Sequence, residues 1–330
     1  MNIMSVGMFD AAGVQTTFAE AWTKYGYGEW RTFFVNNYMD LPVDINHSIP
    51  FDEMLNIIND TDIFLINVVI DKGETSSHLI NDWDTIGLQQ DKSLYLLFPY
   101  IKETGKPIIF YINGSNCVRK WSPLYEQIFN QITPYTAVST PDLIDYFPKA
   151  VYFPGFIDIE KPFWNLPPLK KDYLWVGQFP TNPAIKNTKE FISIMSELSH
   201  LNIKVDIING VPHSQSINYR RDMDITFDHL GGYYGINSLE SAALGIVNIV
   251  KLNDKVKERF NNVAGTDVVP WDLVNSIDDV KALIEYYYNN PEELKLRKES
   301  SKKWMHKYWH PKKHLDRMEK YFNEITKNNN

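Results

Sequence analysis

The residues that follow the apolar run Ile225–Phe227 have the types and spacing of an anion-binding site. The run is typical of a buried parallel strand, and Asp228 and His229 come directly after it. A glycine-rich turn then leads into a predicted helix, so free N–H groups and the positive helix end face one point. The backbone groups expected to hold the anion belong to Gly235, Ile236, Asn237 and Ser238.

Glu240 lies in the first turn of the same predicted helix. A carboxylate at this place can accept hydrogen bonds from hydroxyl groups beside the anion. A phosphate next to vicinal hydroxyls describes a nucleotide sugar, which is the ligand that the pattern indicates. The same spacing also fits an ordinary strand–helix–strand unit in which Glu240 is a solvated first-turn acid.

Two series of alternating strands and helices surround a linker with four prolines, Pro154–Pro168. This alternation predicts the α/β class, with two Rossmann-like domains built on parallel sheets. We expect the domains to comprise residues 1–160, completed by 309–330, and residues 161–308. Ligands are then expected in a cleft between the domains, at the carboxyl ends of the strands.

Several element boundaries are predicted from local signals. Strands are expected over residues 1–7, 63–70, 107–112, 137–139, 150–153, 173–176, 204–208, 225–227 and 246–250. Helices are expected over residues 188–198, with Thr188 as N-cap, and over residues 278–289 and 291–306. The first strand leads into a turn that ends at Gly13, as in Rossmann-like domains, so Gly13 is a candidate nucleotide-binding residue.

Composition limits the class of protein. The chain has 330 residues, of which 44% are hydrophobic and 22% charged, as expected for a soluble protein of two domains. No apolar run reaches the ~20 residues of a membrane span, and no signal peptide is indicated. The single cysteine, Cys117, excludes an intramolecular disulfide and favours a reducing cytoplasm.

No metal site is expected. The sequence has no Cys/His cluster with the spacing of a zinc site. His306, His310 and His314 have helical spacing, which favours a basic helix face over a set of metal ligands. The tripeptide Asp82-Trp83-Asp84 matches a metal-binding motif by its letters, but it lies within a polar insertion.

The net charge of −8 is unevenly distributed. Residues 295–320 contain ten Lys and Arg residues against three acids, a balance of +7. Such a segment favours an anionic partner or a contact with the chain's own acidic part. Its aromatic residues leave three interpretations open: a helix packed on the N-terminal domain, a membrane-surface helix, or a contact to DNA.

Residues 170 to 250 resemble the donor-binding segment of GT-B glycosyltransferases, close to the large retaining family 4. One subgroup has a pattern of the form "GVPH…Y…aDi.iDql..G.yG…lEamAlGkPVi". The matching residues, in the same order and spacing, are Gly210-Val211-Pro212-His213, Tyr219, Asp224, Asp228, Gly232, Tyr234-Gly235, Leu239-Glu240 and Leu244-Gly245. Upstream, Phe179–Thr188 is similar to the subgroup's "aPtNr.iKGT", and Gly114–Arg119 to its "GSD.R".

The resemblance implies roles for several side chains. Lys186 matches the lysine that stabilises the departing diphosphate, and Glu240 matches the glutamate that binds the ribose hydroxyls. His213, in the stretch similar to "GVPH", is a further donor-binding candidate. The position of the family's phosphate-binding arginine is Gln178 here, so Arg119 is the candidate for a second cation. Either cation could instead be an ordinary charged side chain.

Two further positions depart from the family pattern. The first glutamate of its EX7E motif falls at Gly232, and Asp228 and His229 are the candidates to replace it. A histidine that many members carry after an N-terminal strand is Asn113 here. We therefore expect contacts to the transferred sugar or the acceptor from Asn113, Ser115 and His229.

The resemblance implies an enzyme with the GT-B fold, in which the last helix crosses back to the N-terminal domain. It implies transfer of a sugar from a nucleoside diphosphate sugar to a hydroxyl acceptor, with retention and without a cofactor or metal. The acceptor class remains open among saccharides, lipid-linked saccharides and modified DNA bases. Two alternatives remain: a glycosyltransferase acting on a hydroxylated DNA base, and a non-catalytic nucleotide-sugar-binding protein.

Overall fold

The computed structural model describes residues 1–7, 10, 13–34, 49–68, 92–114 and 116–329. The chain divides into two compact units. Unit 1 comprises Met1–Gly155 and Lys312–Asn330, and unit 2 comprises Phe156–Pro311. The candidate Ser115 and the tripeptide Asp82-Trp83-Asp84 lie outside the described residues.

Unit 1 contains a six-stranded parallel sheet in the order β2-β1-β3-β4-β5-β6. Its strands are β1 (Asn2–Gly7), β2 (Glu29–Phe34), β3 (Ile63–Val68), β4 (Ile108–Ile112), β5 (Thr136–Val138) and β6 (Val151–Tyr152). The α-helices among the described residues up to Gly155 are α1 (Val14–Lys24), α2 (Phe51–Asp60), α3 (Lys92–Glu103) and α4 (Asn116–Ile132). Every residue of β3 and β4 is buried, as expected for strands covered on both faces.

Unit 2 contains a five-stranded parallel sheet in the order β11-β10-β9-β7-β8. Its strands are β7 (Leu174–Gln178), β8 (Ile203–Ile207), β9 (Ile225–Phe227), β10 (Val247–Val250) and β11 (Asp272–Leu273). Its helices are α5 (Thr188–Glu197), α6 (His213–Arg221), α7 (Ile236–Leu244), α8 (Asp254–Ala264), α9 (Ile277–Asn289) and α10 (Pro291–Tyr308). The two sheets confirm the predicted α/β class.

The strand order of unit 2 reverses between β7 and β9. From β7 the chain adds β8 on one side and β9 on the other, where β10 and β11 follow. Ligands of open parallel sheets bind at such a switch point, outside the carboxyl ends of the strands. In this protein the switch point is followed by two loops, residues 179–187 after β7 and residues 228–235 after β9.

Local signals set the ends of the helices. Gly245 ends α7 in the left-handed conformation (φ 71°), which glycine adopts readily after a helix. Ser276 and Asp279 form a reciprocal capping box at the start of α9. The predicted N-cap of α5 is wrong, because Asn187 occupies the cap position and Thr188 is the first helical residue.

The C-terminal helix α11 (Pro311–Asn329) belongs to unit 1 from its second residue, Lys312, onward, so the last helix returns to the N-terminal unit as predicted. Its Phe322 ring lies 5.7 Å from the ring of Trp22 and 6.0 Å from those of Trp30 and Phe153. Trp309, by contrast, caps α10 in unit 2 and stacks on Phe260 at 4.4 Å. The chain therefore passes from unit 2 back to unit 1 just after this buried tryptophan.

Much of the positive charge of α10 is used inside unit 2. Lys298 pairs with Asp224 at 2.9 Å, and Lys302 donates a hydrogen bond to the backbone oxygen of Trp164 at 2.9 Å. Trp304 is buried, so it cannot anchor the helix to a membrane surface. Among the described residues, none of the helices has the length and apolarity needed to cross a bilayer.

Candidate functional site

The predicted anion site lies at the switch point of unit 2. The N-cap of α7 is Gly235, with φ −111° and ψ 177°, and its amide donates a hydrogen bond to Asp228 Oδ2 at 3.2 Å. Gly235, Ile236 and Asn237 are half-buried, whereas Ser238 is buried. The Ser238 amide donates to the backbone oxygen of Gly235 at 3.0 Å, so the amides of Ile236 and Asn237 are the ones that can meet an anion at the end of β9, where the helix dipole favours negative charge.

Lys186 reaches this helix end from the loop after β7. Its Nζ lies 2.5 Å from Asp228 Oδ1, and 12% of its side chain is exposed. A methyl group placed on Gly235 would lie 3.7 Å from the same Nζ. The structure therefore brings together the lysine, the glycine turn and the start of α7.

Gln178, which stands at the position of the family arginine, ties the two loops together. Its Nε2 donates to the backbone oxygen of Lys186 at 2.6 Å and to that of Asp228 at 3.2 Å. The side chain is buried, and its amide supplies no charge. Gln178 thus holds the loops in place but does not replace the missing cation.

Asn187 holds the lysine loop from the other side. It has a left-handed backbone (φ 55°), and its Oδ1 accepts a hydrogen bond from the Leu230 amide at 3.0 Å. Glycine, which stands here in the "iKGT" pattern, and asparagine are the residues that adopt this conformation most readily. The exchange therefore keeps the shape of the loop that carries Lys186.

Asp228 faces inward. Its Oδ2 accepts hydrogen bonds from the Ser238 hydroxyl at 2.7 Å and from the Gly235 amide at 3.2 Å. Burial raises the pKa of this carboxyl, but the charge of Lys186 and the neighbouring His229 outweigh it and hold the pKa far below its usual range. With its side chain 1% exposed, Asp228 orients Lys186 and the start of α7.

Glu240 is the fifth residue of α7, so its predicted place in the first turn is wrong. Its carboxylate is also enclosed, with 2% of the side chain exposed. His213 Nε2 lies 2.6 Å from its Oε1, and Arg220 donates to its Oε2. Burial raises the pKa of Glu240, but Arg220 and then His213 lower it below the ordinary value. The solvated-acid alternative is therefore wrong, and the imidazole of His213, 23% exposed, covers the carboxylate.

Arg220 is a site residue that the sequence analysis did not identify. Its NH2 donates to Asn237 Oδ1 at 2.8 Å, and its guanidinium lies 4.2 Å from the centre of the Phe179 ring. His213 and Arg220 are seven residues apart on α6, which places them on one face of a helix two turns apart. The seven-residue spacing could therefore have indicated from the sequence that both side chains contact the same group, which is Glu240.

Neither the position of the missing glutamate, Gly232, nor the nearby His229 places a charged side chain in the open part of the site. Gly232 has φ +84°, and a Cβ there would meet the Asn253 side chain at 2.4 Å. A glutamate at this position would therefore be strained and would collide with Asn253. His229 is fully buried, and its Nδ1 accepts a hydrogen bond from the Gly231 amide at 2.9 Å.

The remaining candidates belong to unit 1. Gly13 is left-handed (φ 68°) at the start of α1, where the Asp10 carboxylate accepts hydrogen bonds from the amides of Gln15 and Thr16 at 2.9 and 2.7 Å. The anion-binding end of α1 is thus occupied by a carboxylate of the chain itself.

Asn113 and Arg119 lie near the carboxyl ends of the strands of unit 1. Asn113 is buried and donates to Asn67 Oδ1 at 2.5 Å. The guanidinium of Arg119 pairs with Asp142 at 2.6 Å, with 13% of each side chain exposed. Among the described residues, no group of three or more His, Cys, Asp or Glu side chains could hold a metal ion.

The sequence matches no family model and no curated protein. The fold does match solved structures over almost the whole chain. A glycosyltransferase from Rickettsia africae ESF-5 is similar with a TM-score of 0.64 at 14% identity, covering 99% of both chains. HepE of Anabaena, in complex with UDP and glucose, gives a TM-score of 0.67 at 9% identity, covering 98% of this chain and 100% of HepE.

A third similar structure is an α-glucosyltransferase in complex with UDP-glucose and DNA containing an abasic site. Its TM-score is 0.61 at 10% identity, and the match covers 98% of this chain and 100% of that enzyme. At sequence identities of 9–14%, the structural similarity to these three proteins establishes a shared fold. The chain therefore has the GT-B fold of these glycosyltransferases, as its sequence predicts.

Proposed function

We propose that this protein is a glycosyltransferase that moves a sugar from a nucleoside diphosphate sugar to a hydroxyl acceptor. The observation that carries the proposal is the geometry around Gly235. A lysine ammonium, the amides of Ile236 and Asn237 at the start of α7, and the half-buried Gly235 meet at the switch point of the unit 2 sheet. This is the arrangement that binds a diphosphate and stabilises it as its charge grows.

In the proposed reaction, the bond between the anomeric carbon and the diphosphate oxygen breaks, and that oxygen leaves with the electron pair. The bond to the acceptor oxygen forms at the same carbon, and the acceptor loses its proton. Asp228 and Glu240 are both buried and ion-paired, which makes them poor bases for this proton. We propose that the leaving diphosphate takes it, which fits retention and requires no metal.

UDP is the first nucleotide to test, because HepE and the α-glucosyltransferase are both seen with UDP or UDP-glucose. The donor panel should compare UDP-, GDP-, ADP- and CMP-sugars by thermal unfolding. A ligand at 100 times its dissociation constant stabilises a protein by about 2.7 kcal/mol. We expect one base to give this shift; a folded protein that no nucleotide sugar stabilises would contradict the proposal.

Turnover separates the enzyme from a binding protein. The active donor should be hydrolysed slowly without acceptor and transferred faster with one, and EDTA should leave both rates unchanged. The anomeric configuration of the product, read by NMR, tests retention. Tight donor binding without hydrolysis or transfer to any acceptor would instead support the non-catalytic alternative.

A hydroxylated DNA base is the second candidate acceptor, favoured by the DNA in one of the similar structures. The internal use of Lys298 and Lys302 weighs against a strongly cationic surface on α10. Transfer to duplexes with and without a hydroxymethylated base would decide. Product only on the hydroxymethylated duplex would establish this acceptor. We further propose a cytoplasmic location, for which Cys117 as the single cysteine is the support.

A further inference from the structure

Arg220 is fully buried although it carries a charge that cannot be removed at physiological pH. Removing a guanidinium from water is strongly unfavourable unless its surroundings compensate. A well-packed apolar group in place of a buried ion pair is often neutral or stabilising. Stability alone therefore does not account for an arginine at this position.

The contacts of Arg220 connect both sides of the candidate donor site. One nitrogen binds Glu240 Oε2 and another binds Asn237 Oδ1 at 2.8 Å, both in the first turns of α7. The planar face lies 4.2 Å from the ring centre of Phe179, just after β7. Asn237 Nδ2 in turn donates to the backbone oxygen of Phe179 at 2.9 Å. Arg220, Asn237 and Phe179 thus form a closed ring of contacts, to which Glu240 is joined through Arg220.

This ring of contacts fixes two groups that a bound nucleotide sugar would contact. It holds the backbone of Asn237, whose amide belongs to the anion-binding start of α7. It also holds the Glu240 carboxylate at Oε2 through the fully buried Arg220, while the partly exposed imidazole of His213 contacts Oε1. Each carboxylate oxygen can accept more than one hydrogen bond, so Glu240 keeps capacity for a hydroxyl group.

We propose that Arg220 is a positioning residue for the donor, which orients Glu240 toward the ribose hydroxyls and locks the first turn of α7. The inference rests on the proposed function. It predicts that the site selects ribonucleotides over 2′-deoxyribonucleotides, and that this selection depends on Arg220. Loss of one charge-assisted hydrogen bond corresponds to a change of roughly tenfold to 150-fold in affinity.

The test compares UDP with 2′-deoxy-UDP by calorimetry, on the full chain and on variants of one helix. The native protein should bind UDP at least about tenfold more tightly. Arg220→Met should reduce this preference below about threefold while binding of the diphosphate persists. Arg220→Lys should lie between them, because an ammonium can reach Glu240 but cannot also bridge to Asn237.

Arg221→Met is the matched control. Arg221 is the next residue on α6 and pairs with Asp222 at 3.1 Å, away from Glu240. This variant should keep the full preference for UDP. In steady state, Arg220→Lys should raise the KM for UDP-glucose more than it lowers kcat, whereas Arg221→Met should change neither.

A folded Arg220→Met that keeps the native preference would overturn the inference, and so would a native protein that binds both nucleotides equally. If Arg220→Met does not fold, Arg220→Lys decides, and an unchanged preference in that variant refutes the proposal. A native protein that binds no UDP at all is a different result. It contradicts the proposed function with UDP as the nucleotide and leads back to the donor panel.

Discussion

Gly235→Ala is expected to weaken the binding of a nucleoside diphosphate without weakening the fold. The backbone of Gly235 (φ −111°, ψ 177°) is extended and open to any residue. An added Cβ would lie 3.7 Å from both Lys186 Nζ and Asp228 Oδ2, and 4.0 Å from the Asn237 amide. These are ordinary van der Waals distances. Neither backbone geometry nor packing therefore requires glycine.

The methyl group would stand where a phosphate must approach. A phosphate oxygen that binds the start of α7 needs a donor–acceptor distance of about 2.9 Å, and it competes with the methyl group for the space beside Lys186. Loss of one charge-assisted hydrogen bond costs about 1.5–3 kcal/mol. The dissociation constant for UDP should therefore rise roughly 10- to 150-fold.

Calorimetry with UDP and with uridine tests this reasoning, because uridine has no phosphate. We expect Gly235→Ala to weaken UDP and to leave uridine unchanged, and Gly235→Val to enlarge the difference. The unfolding temperature should stay equal or rise, since Gly→Ala at a compatible position stabilises by about 0.4–1 kcal/mol. Native affinity for UDP, or an equal loss for uridine, would refute the assignment of Gly235 to the diphosphate.

Three other results are expected. Lys186→Met should slow transfer and destabilise the fold by about 3–5 kcal/mol, because Asp228 is left buried without its ion-pair partner. The double variant Lys186→Met, Asp228→Asn should recover the stability but not the transfer rate. Recovery of both would contradict a role of Lys186 in transfer. Asp228 and Glu240 have lowered pKa values in the folded state, so the unfolded chain binds more protons. The free energy of unfolding should therefore be highest above about pH 5 and should fall toward pH 2. Chemical denaturation at several pH values should show a shallower decline for Asp228→Asn than for the native protein. An identical decline would show that Asp228 does not contribute to it. Deleting residues 312–330 removes Leu315, Met318, Phe322 and Ile325 from the core of unit 1, each worth about 1.5–3 kcal/mol, and should abolish its cooperative unfolding in calorimetry, whereas deleting residues 327–330 should not. An unchanged transition in the longer deletion would show that α11 is only a partner surface.

The elements of the site could be predicted because they follow local rules. The run Ile225–Phe227 forms a strand, and Gly245 ends the next helix, since periodicity and left-handed glycine act over a few residues. The position of Lys186 beside α7 followed from a resemblance between motifs. Parallel strands then bring both loops to one edge of the sheet.

The pairings inside the site could not be predicted in the same way. Asp228 is next to the turn in sequence, but its inward orientation depends on Ser238 and Lys186 meeting it in space. Arg220 looks like an ordinary charge near a helix end until Glu240 and Asn237 are placed around it. The boundary at Trp309 is another case, because stacking on Phe260 keeps this residue in unit 2.

Unit 1 cannot finish folding when its first 155 residues have been translated, because its last helix, α11, is translated only after unit 2. When Gly155 has been made, Trp22, Trp30 and Phe153 still lack the Phe322 ring that packs on them. The ribosome must add the whole of unit 2 first, which takes roughly 10–30 s at ordinary rates of elongation. During this interval the aromatic rings of Trp22, Trp30 and Phe153 in the nascent N-terminal unit lack the cover that Phe322 gives them in the finished protein. The C-terminal unit, whose residues are contiguous, can fold before the unit that precedes it in the sequence.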